Sequence, residues 1–414
     1  MSTISTRVHL FSPSKAGLTL GTKARLYASR LFRPQACLIS HRNGIASILT
    51  LRMTISTMRA YRYDNTGGLD QLRLREVPKP VLQPGEALVK VKASGVNMSD
   101  VVGICGWLPF VTTPRVPGRD YAGIVEAVRD QDDGHWIGSE VWGTGGNVGF
   151  TVDGSWAEYI KVPVKALSKK PTNLSFAAGA TVGLPWLCAD QAVDALARVR
   201  KDDAVLIIGA RGAIGSAAVQ LCRSIGVQEL YGTFSSKPSE SPQLKAIDLS
   251  AADGSNIGAY AELFKRTIKK VNVVIDAYGS DFDAHVLNAS LDVLTPGGRV
   301  VVMAVHSKVS FATFLNLNAS LILSVQSGVS CLNLRKFYAK SLVLYGLSSG
   351  QVTQEMGARL LDRLAPEFEN GNFTNESKPM ALLRFSDEQD VQDGLMAVYG
   401  KKGKEKYVVT MDCE

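Results

Sequence analysis

The sequence predicts an α/β protein in which a β-rich, barrel-like domain accompanies a doubly wound parallel-sheet domain. Short apolar runs split by Gly and Pro continue to about residue 168, and from residue 204 strand-like runs alternate with amphipathic helices. Between the first of these later strands and its helix lies a glycine-rich turn. With 414 residues, 45% of them apolar, the chain is long enough to bury the cores of two domains.

The N-terminal tail, residues 1–57, is rich in Arg and Ser and contains no acid. This composition is typical of a mitochondrial transit peptide, whereas a secretory signal would need a longer apolar segment. Alternatively, Met53 or Met58 is the true start. We expect a targeting or disordered tail and a place in the mitochondrial matrix if the tail is real, and otherwise in the cytoplasm.

The charge and the cysteines argue against a nucleic-acid-binding protein and against a disulfide-stabilised one. Basic side chains of the tail account for the whole formal charge of +8, so the remaining chain lacks the net basic charge typical of a nucleic-acid-binding domain. Six scattered cysteines without a CxxC pair indicate reduced thiols. The charge-free stretch 309–334 contains several Asn and Ser residues, which predict a buried segment rather than a membrane span.

The elements of the β-rich part follow from period-two alternation and turn residues. The predicted strands are 58–63 and 71–77, which form a hairpin around 65–68, followed by 86–93, 121–128, 139–142 and 155–162.

From Ser175 the spacing of apolar residues becomes helical, and βαβ units follow, which predict a parallel sheet. Near the C-terminus, 341–346 and 406–411 resemble strands and 354–369 a helix, so this end could rejoin the first domain. The strands predicted for the parallel sheet are 204–209, 229–234, 272–276 and 299–305.

The turn between the strand at 204–209 and its helix contains Gly209, Gly212 and Gly215. The first permits a tight turn, the second lets the backbone approach a pyrophosphate, and the third lets the helix pack on the strand. Because a strand precedes and a helix follows, the pattern predicts a dinucleotide site rather than a purely structural turn.

The residues at the end of the second strand of this unit predict which cofactor binds. An NAD site usually has an acid there, which binds the ribose hydroxyls. This chain has Ser235, Ser236 and Lys237, whose hydroxyls and ammonium suit the 2′-phosphate of NADP. We therefore expect NADPH, although Glu240 lies close by and Lys237 could be a solvated loop charge.

Seven motifs carry a resemblance to a known family: GVNMSD (95–100), VPGRDYAGIV (116–125), VDGSWAEYIKVP (152–163), ADQAV (189–193), GARGAIG (209–215), VVIDAYG (273–279) and LTPGGRVVVM (294–303). On these, residues 58–414 are similar to the medium-chain dehydrogenase/reductase superfamily, and within it to the zinc-independent quinone oxidoreductase, or zeta-crystallin-like, branch.

The resemblance implies a GroES-like β-barrel catalytic domain at 58–185 and 340–414, a Rossmann NADP-binding domain at 186–339, and a homodimer through the coenzyme domain. The cofactor-binding residues that we expect are Gly209, Ala210, Gly212, Ile214, Gly215, Ser235, Ser236, Lys237, Tyr278 and Ala304.

Zinc-dependent members of that superfamily hold their metal where this chain has Asn97, Arg119-Asp120 and Leu184. Asn, Arg and Leu cannot form the tetrahedral N/S site that zinc prefers. The cysteines of the structural zinc lobe are also missing, since no Cys occurs between Cys105 and Cys188. We expect no metal.

The resemblance implies that Asn97 and Asp100 line the catalytic cleft. Asn97 could instead be a turn residue, and Asp100 a helix cap or an ion-pair partner of Arg119. Many relatives have a Tyr proton donor at a position that we match to Trp107, and indole cannot replace it. Trp107 could stack on a flat acceptor, or it could be a buried core residue. We leave Cys188 out of the catalytic set.

Without a metal to polarise an alcohol, reduction of an activated acceptor is the better supported chemistry. We expect NADPH-dependent hydride transfer to a quinone or an α,β-unsaturated carbonyl. The alternatives are an enoyl-thioester reductase and a cofactor-binding interaction protein with little turnover.

Overall fold

Two sheets organise the protein, as seen in a computed structural model that describes residues 56–236, 244–252, 257–279, 285–303, 332–375, 379–400 and 405–411. Most of the tail, the stretch 309–331, Lys237, Glu240 and Ala304 lie outside the described residues.

The strands, in chain order, are β1 Thr57–Arg62, β2 Arg73–Pro78, β3 Glu86–Gly95, β4 Asp120–Val128, β5 Glu140–Gly143, β6 Tyr159–Pro163, β7 Ser168–Lys169, β8 Ala204–Ile208, β9 Glu229–Phe234, β10 Lys245–Asp248, β11 Val271–Asp276, β12 Leu294–Val302, β13 Val343–Gly346, β14 Met380–Arg384 and β15 Lys406–Thr410.

The described helices are α1 Met98–Ile104, α2 Phe176–Gly179, α3 Gly183–Asp190, α4 Ala213–Ile225, α5 Ile257–Thr267, α6 His285–Ser290, α7 Leu334–Lys340, α8 Gln354–Glu369 and α9 Glu388–Tyr399. None of them is long and apolar enough to cross a bilayer.

The first sheet is β-rich and takes strands from both ends of the chain. Its order is β14-β15-β3-β4-β5-β7, with β6 also paired to β3, and all of its pairs except β14-β15 are antiparallel. The predicted hairpin is confirmed as a separate pair, β1 with β2, in which Met58 lies opposite Val77. The C-terminal strand β15 joins β3, so this end of the chain does rejoin the first sheet.

The second sheet is wholly parallel and has the order β10-β9-β8-β11-β12-β13. This is the order of doubly wound dinucleotide-binding sheets, and it confirms the predicted α/β fold class. Val205, Leu206 and Ile207 of β8 are fully buried, as the continuous apolar run of a central parallel strand requires. The strand β13 belongs to this sheet although it lies beyond the expected domain boundary at 339/340.

One hydrophobic cluster connects the two sheets. It contains Ala93 and Ala122 of the β-rich sheet, Val205 and Ile207 of the parallel sheet, and residues of α3 and α8 between them. Because α3 also packs against α4 in the same cluster, the two sheets share one continuous core.

Candidate functional site

The glycine-rich turn has the geometry that its sequence predicts. Gly209 has a φ of +79°, which favours glycine, and a Cβ on Gly215 would lie 2.2 Å from the carbonyl oxygen of Gly209. Gly212 is the residue before the first turn of α4 and has no side chain to cap the helix. The first amides of α4 therefore have no side-chain cap at this residue, an arrangement that suits a bound pyrophosphate.

Thr233 of β9 holds the turn in place. Its hydroxyl accepts a hydrogen bond of 2.9 Å from the Gly209 N–H, and its carbonyl accepts one of 3.1 Å from the Ala210 N–H. Ile214 packs against the cluster that joins the sheets. Of the residues predicted here, Ala210 and Ile214 thus contribute to packing while the glycine backbone shapes the turn.

The direction of strand order reverses between β8 and β11, and ligands of doubly wound sheets bind at such a point. Tyr278 follows β11 there and leaves 44% of its surface exposed. A Cβ on Gly209 would lie 3.0 Å from the Cβ of Tyr278, so the structure brings these two predicted cofactor residues together. Ala304, the third residue expected near this edge, lies outside the described residues.

Ser235 and Ser236 are exposed at the end of β9, while Lys237 is not described. The structure adds Arg211, which the sequence analysis missed. Its guanidinium donates a hydrogen bond of 3.0 Å to the Ser236 hydroxyl and lies 5.5 Å from the ring centre of Phe234. Sequence spacing gives no signal for this contact, because the two residues belong to different βα turns.

A groove of about 1070 Å³ begins at the glycine-rich turn. Ala210, Arg211 and Phe234 line its first part, and α4, α8 and residues 372–374 line the rest. The adenosine end of a dinucleotide on this turn would therefore have open space beside it.

Three of the positions that the sequence resemblance matches to zinc ligands, Asn97, Asp120 and Leu184, form a hydrogen-bonded network in this protein. Asp120 is buried, and its carboxylate accepts hydrogen bonds from the Asn97 side-chain amide at 3.0 Å, the Thr144 hydroxyl at 2.5 Å and the Leu184 N–H at 2.8 Å. Burial raises the pKa of Asp120 above its ordinary value. Asn97, Asp120 and Leu184 are thus brought together as a closed polar cluster.

Arg119 is a completely buried cation beside this network. Its guanidinium donates to the Ser349 hydroxyl at 2.8 Å, to the Ser349 carbonyl at 3.3 Å and to the Gly146 carbonyl at 3.1 Å, and its carbon lies 4.5 Å from the ring centre of Phe150. No described acid lies within ion-pair distance of it. Burial lowers the pKa of Arg119, yet an arginine side chain keeps its charge in proteins.

These residues do not fit a zinc ion. The Asn97 amide nitrogen is directed at Asp120, both oxygens of Asp120 are already hydrogen-bonded, and Leu184 contributes only its backbone N–H. A guanidinium next to the cluster would oppose a second cation. In the described part of the chain, moreover, no three His, Cys, Asp or Glu side chains form a metal-binding group.

Asp100 lies in the first turn of α1 and has a structural role there. Its carboxylate accepts a hydrogen bond of 2.9 Å from the Asn97 N–H, as in a capping box. Burial raises the pKa of Asp100 to about 7, while the Asn97 amide and the nearby Arg119 oppose the rise. Near neutral pH this carboxyl group can hold or release a proton. It forms no ion pair with Arg119 within 4.0 Å among the contacts of the described residues.

Trp107 is not a core residue, because 46% of its surface is exposed. Its ring makes an edge contact with Tyr399 of α9, with 6.0 Å between ring centres. Phe110, also half exposed, lies in the same loop and contacts Phe150. The alternative that Trp107 is a buried core residue is therefore wrong. The indole of Trp107 is available to an aromatic ligand.

Cys188 lies on α3, buried beside Arg119 and Asp120. Burial raises the pKa of its thiol to about 12, so Cys188 is protonated and unreactive at neutral pH. This environment agrees with a packing residue.

Comparisons with known proteins extend these observations to most of the chain. A family model described as an alcohol dehydrogenase GroES-like domain matches residues 83–172, and one described as a zinc-binding dehydrogenase matches residues 213–365. A zinc-type alcohol dehydrogenase-like protein of Schizosaccharomyces pombe is 30% identical over 77% of this chain and 86% of its own length.

A human quinone oxidoreductase is 30% identical over 59% of this chain and 73% of its own length. Among solved structures, an alcohol dehydrogenase superfamily protein from Novosphingobium aromaticivorans superposes with a TM-score of 0.66 at 21% identity, over 86% of this chain and 100% of that one. At this identity, the superposition shows a shared fold.

Proposed function

Because the chain belongs to the medium-chain dehydrogenase/reductase superfamily, we propose that it is a zinc-independent oxidoreductase that transfers hydride from NADPH to a quinone or an α,β-unsaturated carbonyl. The observation that carries the proposal is the hydrogen-bonded pair of Asn97 and Asp120 with the buried cation Arg119 beside it, which stand where a catalytic zinc would need its donor set. Bound NADPH would supply the hydride.

The glycine-rich turn and Tyr278 at the switch point support a dinucleotide in the cleft. NADPH is favoured over NADH because β9 ends at Phe234 and is followed by Ser235 and Ser236 rather than by an acid that would repel a phosphate. A quinone or an enone can accept hydride without a Lewis acid, provided that hydrogen-bond donors stabilise the charge that develops on oxygen.

Helix α1 and the loop after it supply two groups suited to such an acceptor. The exposed indole of Trp107 offers a surface on which a flat, conjugated molecule can stack. Asp100, with a pKa of about 7, is our candidate for the proton that the reduced acceptor takes up. Asn97 positions Asp100 through its backbone N–H.

An acceptor screen tests the proposal. Oxidation of NADPH by 9,10-phenanthrenequinone or short enals would support it, while turnover of acyl thioesters alone would replace it with an enoyl-thioester reductase. If the protein binds NADPH and turns over none of these acceptors, a cofactor-binding interaction protein is the better description. The ratio of the kcat/KM values for two acceptors measures how strongly the protein prefers one of them over the other.

We also propose a homodimer and a mitochondrial location. Light scattering of the purified protein tests the first, and a mass of one protomer would contradict it. Sequencing the N-terminus of the protein from cells tests the second. A mature terminus between Thr54 and Arg59 supports import and cleavage of the Arg- and Ser-rich tail, and an uncleaved cytosolic chain contradicts them.

A further inference from the structure

Arg211 occupies the middle of the glycine-rich turn, where its side chain is exposed. We propose that Arg211 binds the 2′-phosphate of NADPH and thereby sets the cofactor preference of this protein. The inference rests on the proposed function in one respect, since it takes NADPH to be the dinucleotide that binds.

Two contacts hold the guanidinium at the end of β9. Arg211 donates a hydrogen bond of 3.0 Å to the hydroxyl of Ser236, and its guanidinium carbon lies 5.5 Å from the ring centre of Phe234. Arg211 thus bridges from the first βα turn to the end of the second strand. These contacts restrict the long side chain before a ligand arrives, which lowers the entropy that binding must overcome.

The end of the second strand is where the adenosine ribose of a dinucleotide lies in this sheet order. An acid at this place selects NAD, and a nearby Arg accommodates the 2′-phosphate of NADP. Within the described residues, no Asp or Glu forms an ion pair with Arg211. Its guanidinium lies on an exposed side chain, and the planar fork of that group suits a phosphate.

The groove beside the turn leaves room for the phosphate. Ala210, Arg211 and Phe234 form its first part. A phosphate between Arg211 and Ser236 would replace their mutual hydrogen bond with two bonds to its oxygens, one from the guanidinium and one from the hydroxyl.

Binding measurements on four variants test this assignment. Calorimetry would give the Kd of NADPH, NADH, adenosine 2′,5′-bisphosphate and 5′-AMP for Arg211→Ala, Arg211→Lys, Ser236→Ala and the control Arg266→Ala. Arg266 is exposed on α5, and its substitution removes the same charge without contact to the turn.

We expect Arg211→Ala to weaken NADPH and adenosine 2′,5′-bisphosphate roughly 10- to 100-fold, while NADH and 5′-AMP change by less than about 3-fold. Arg211→Lys should fall between Arg211→Ala and the wild type, because lysine keeps the charge but not the planar fork. Ser236→Ala should weaken NADPH by roughly 3- to 10-fold. Arg266→Ala should behave as the wild type.

The outcomes separate this inference from the proposed function. An equal loss of NADPH and NADH in Arg211→Ala, or no loss of either, would overturn the role of Arg211. If the wild-type protein binds NADH as tightly as NADPH, then the cofactor choice is wrong and the inference falls with it. If the phosphate preference depends on Arg211 but no acceptor is reduced, the inference stands and the proposed reaction does not.

Discussion

The guanidinium of Arg119 donates a hydrogen bond of 2.8 Å to the hydroxyl of Ser349. Arg119 directly precedes β4 of the β-rich sheet, and Ser349 follows β13 of the parallel sheet. The same guanidinium also binds the carbonyl of Gly146, whose N–H donates to the Val352 carbonyl at 2.6 Å. One buried cation therefore connects the segment that follows β13 of the parallel sheet to the start of β4 in the β-rich sheet.

Arg119→Met should destabilise the protein by roughly 3 kcal/mol, because it leaves the part-buried Ser349 hydroxyl and the carbonyls of Ser349 and Gly146 without their donor. Ser349→Ala should cost about 1 kcal/mol, since it removes one of these bonds. Urea unfolding monitored by tryptophan fluorescence would measure both. If Arg119→Met is no less stable than Ser349→Ala, the cation does not hold the sheets together as described.

Asp100 makes stability depend on pH. Its pKa is about 7 in the folded protein and 3.8 ordinarily, so the folded state holds the proton more tightly than the unfolded state. Its contribution to stability is fully present below about pH 4 and is lost as the pH rises to about 7. Asp100→Asn has no carboxyl group to titrate. Its free energy of unfolding should therefore fall less steeply with rising pH than that of the wild type, by up to roughly 1.4 kcal/mol per pH unit.

Urea unfolding of the wild type and Asp100→Asn at several pH values between 4.5 and 8 would show the difference. The groups that face Asp100 are the N–H groups of Asn97 and Gly118 and the side chains of Arg119, Asp120 and Tyr63, and the substitution leaves all of them in place. Equal slopes for the two proteins would contradict the raised pKa.

An acid at the end of β9 should weaken the preference for NADPH over NADH. Ser235→Asp and Lys237→Glu each place a negative charge where we expect the 2′-phosphate, and should raise the KM for NADPH by roughly tenfold or more and that for NADH by less than about threefold. Steady-state kinetics with a quinone acceptor would measure both constants. An equal rise for the two cofactors would place the phosphate elsewhere.

Trp107→Ala should raise the KM for flat acceptors by roughly tenfold, and Trp107→Phe should restore much of the loss by keeping an aromatic face. Stability should change little because the indole is 46% exposed. A matched control is Tyr338→Ala, which removes an aromatic side chain that is 88% exposed on α7. An unchanged KM in Trp107→Ala would exclude stacking of the acceptor on this residue.

Gly215→Ala should weaken NADPH and NADH alike by at least about tenfold, because its Cβ would lie 2.2 Å from the Gly209 carbonyl and the turn would have to open. Gly134→Ala is the control, since a Cβ on Gly134 meets nothing within 4 Å. Fluorescence titration with both cofactors would test the pair. Wild-type affinity in Gly215→Ala would mean that the turn does not carry the pyrophosphate.

Local pattern was sufficient for β8, β9, β11 and β12 of the parallel sheet and for the glycine-rich turn, because strand β8, the turn and α4 follow one another along the chain. It missed β10, where only Ile247 is buried among four residues and alternation is too short to recognise. The side-chain contacts of Arg211 and Arg119 were also missed. Each depends on two segments that only the folded topology brings together.

The exposure of Trp107 could not be predicted from the sequence either. Composition alone favoured neither a stacking surface nor the core, and exposure depends on where the loop after α1 meets α9. The sequence could nevertheless exclude zinc, because the chemistry of Asn97, Arg119 and Leu184 does not depend on their exact placement.

The hydrophobic cluster that contains Ala93 and Ala122 together with Val205 and Ile207 has a consequence for building chimeras. Exchanging only the parallel sheet with that of a relative would cut through the middle of a shared core and mismatch its two halves. A successful exchange would have to carry α3 and α8 along with the sheet. A chimera of this protein should therefore exchange the packed core as a whole rather than either sheet alone.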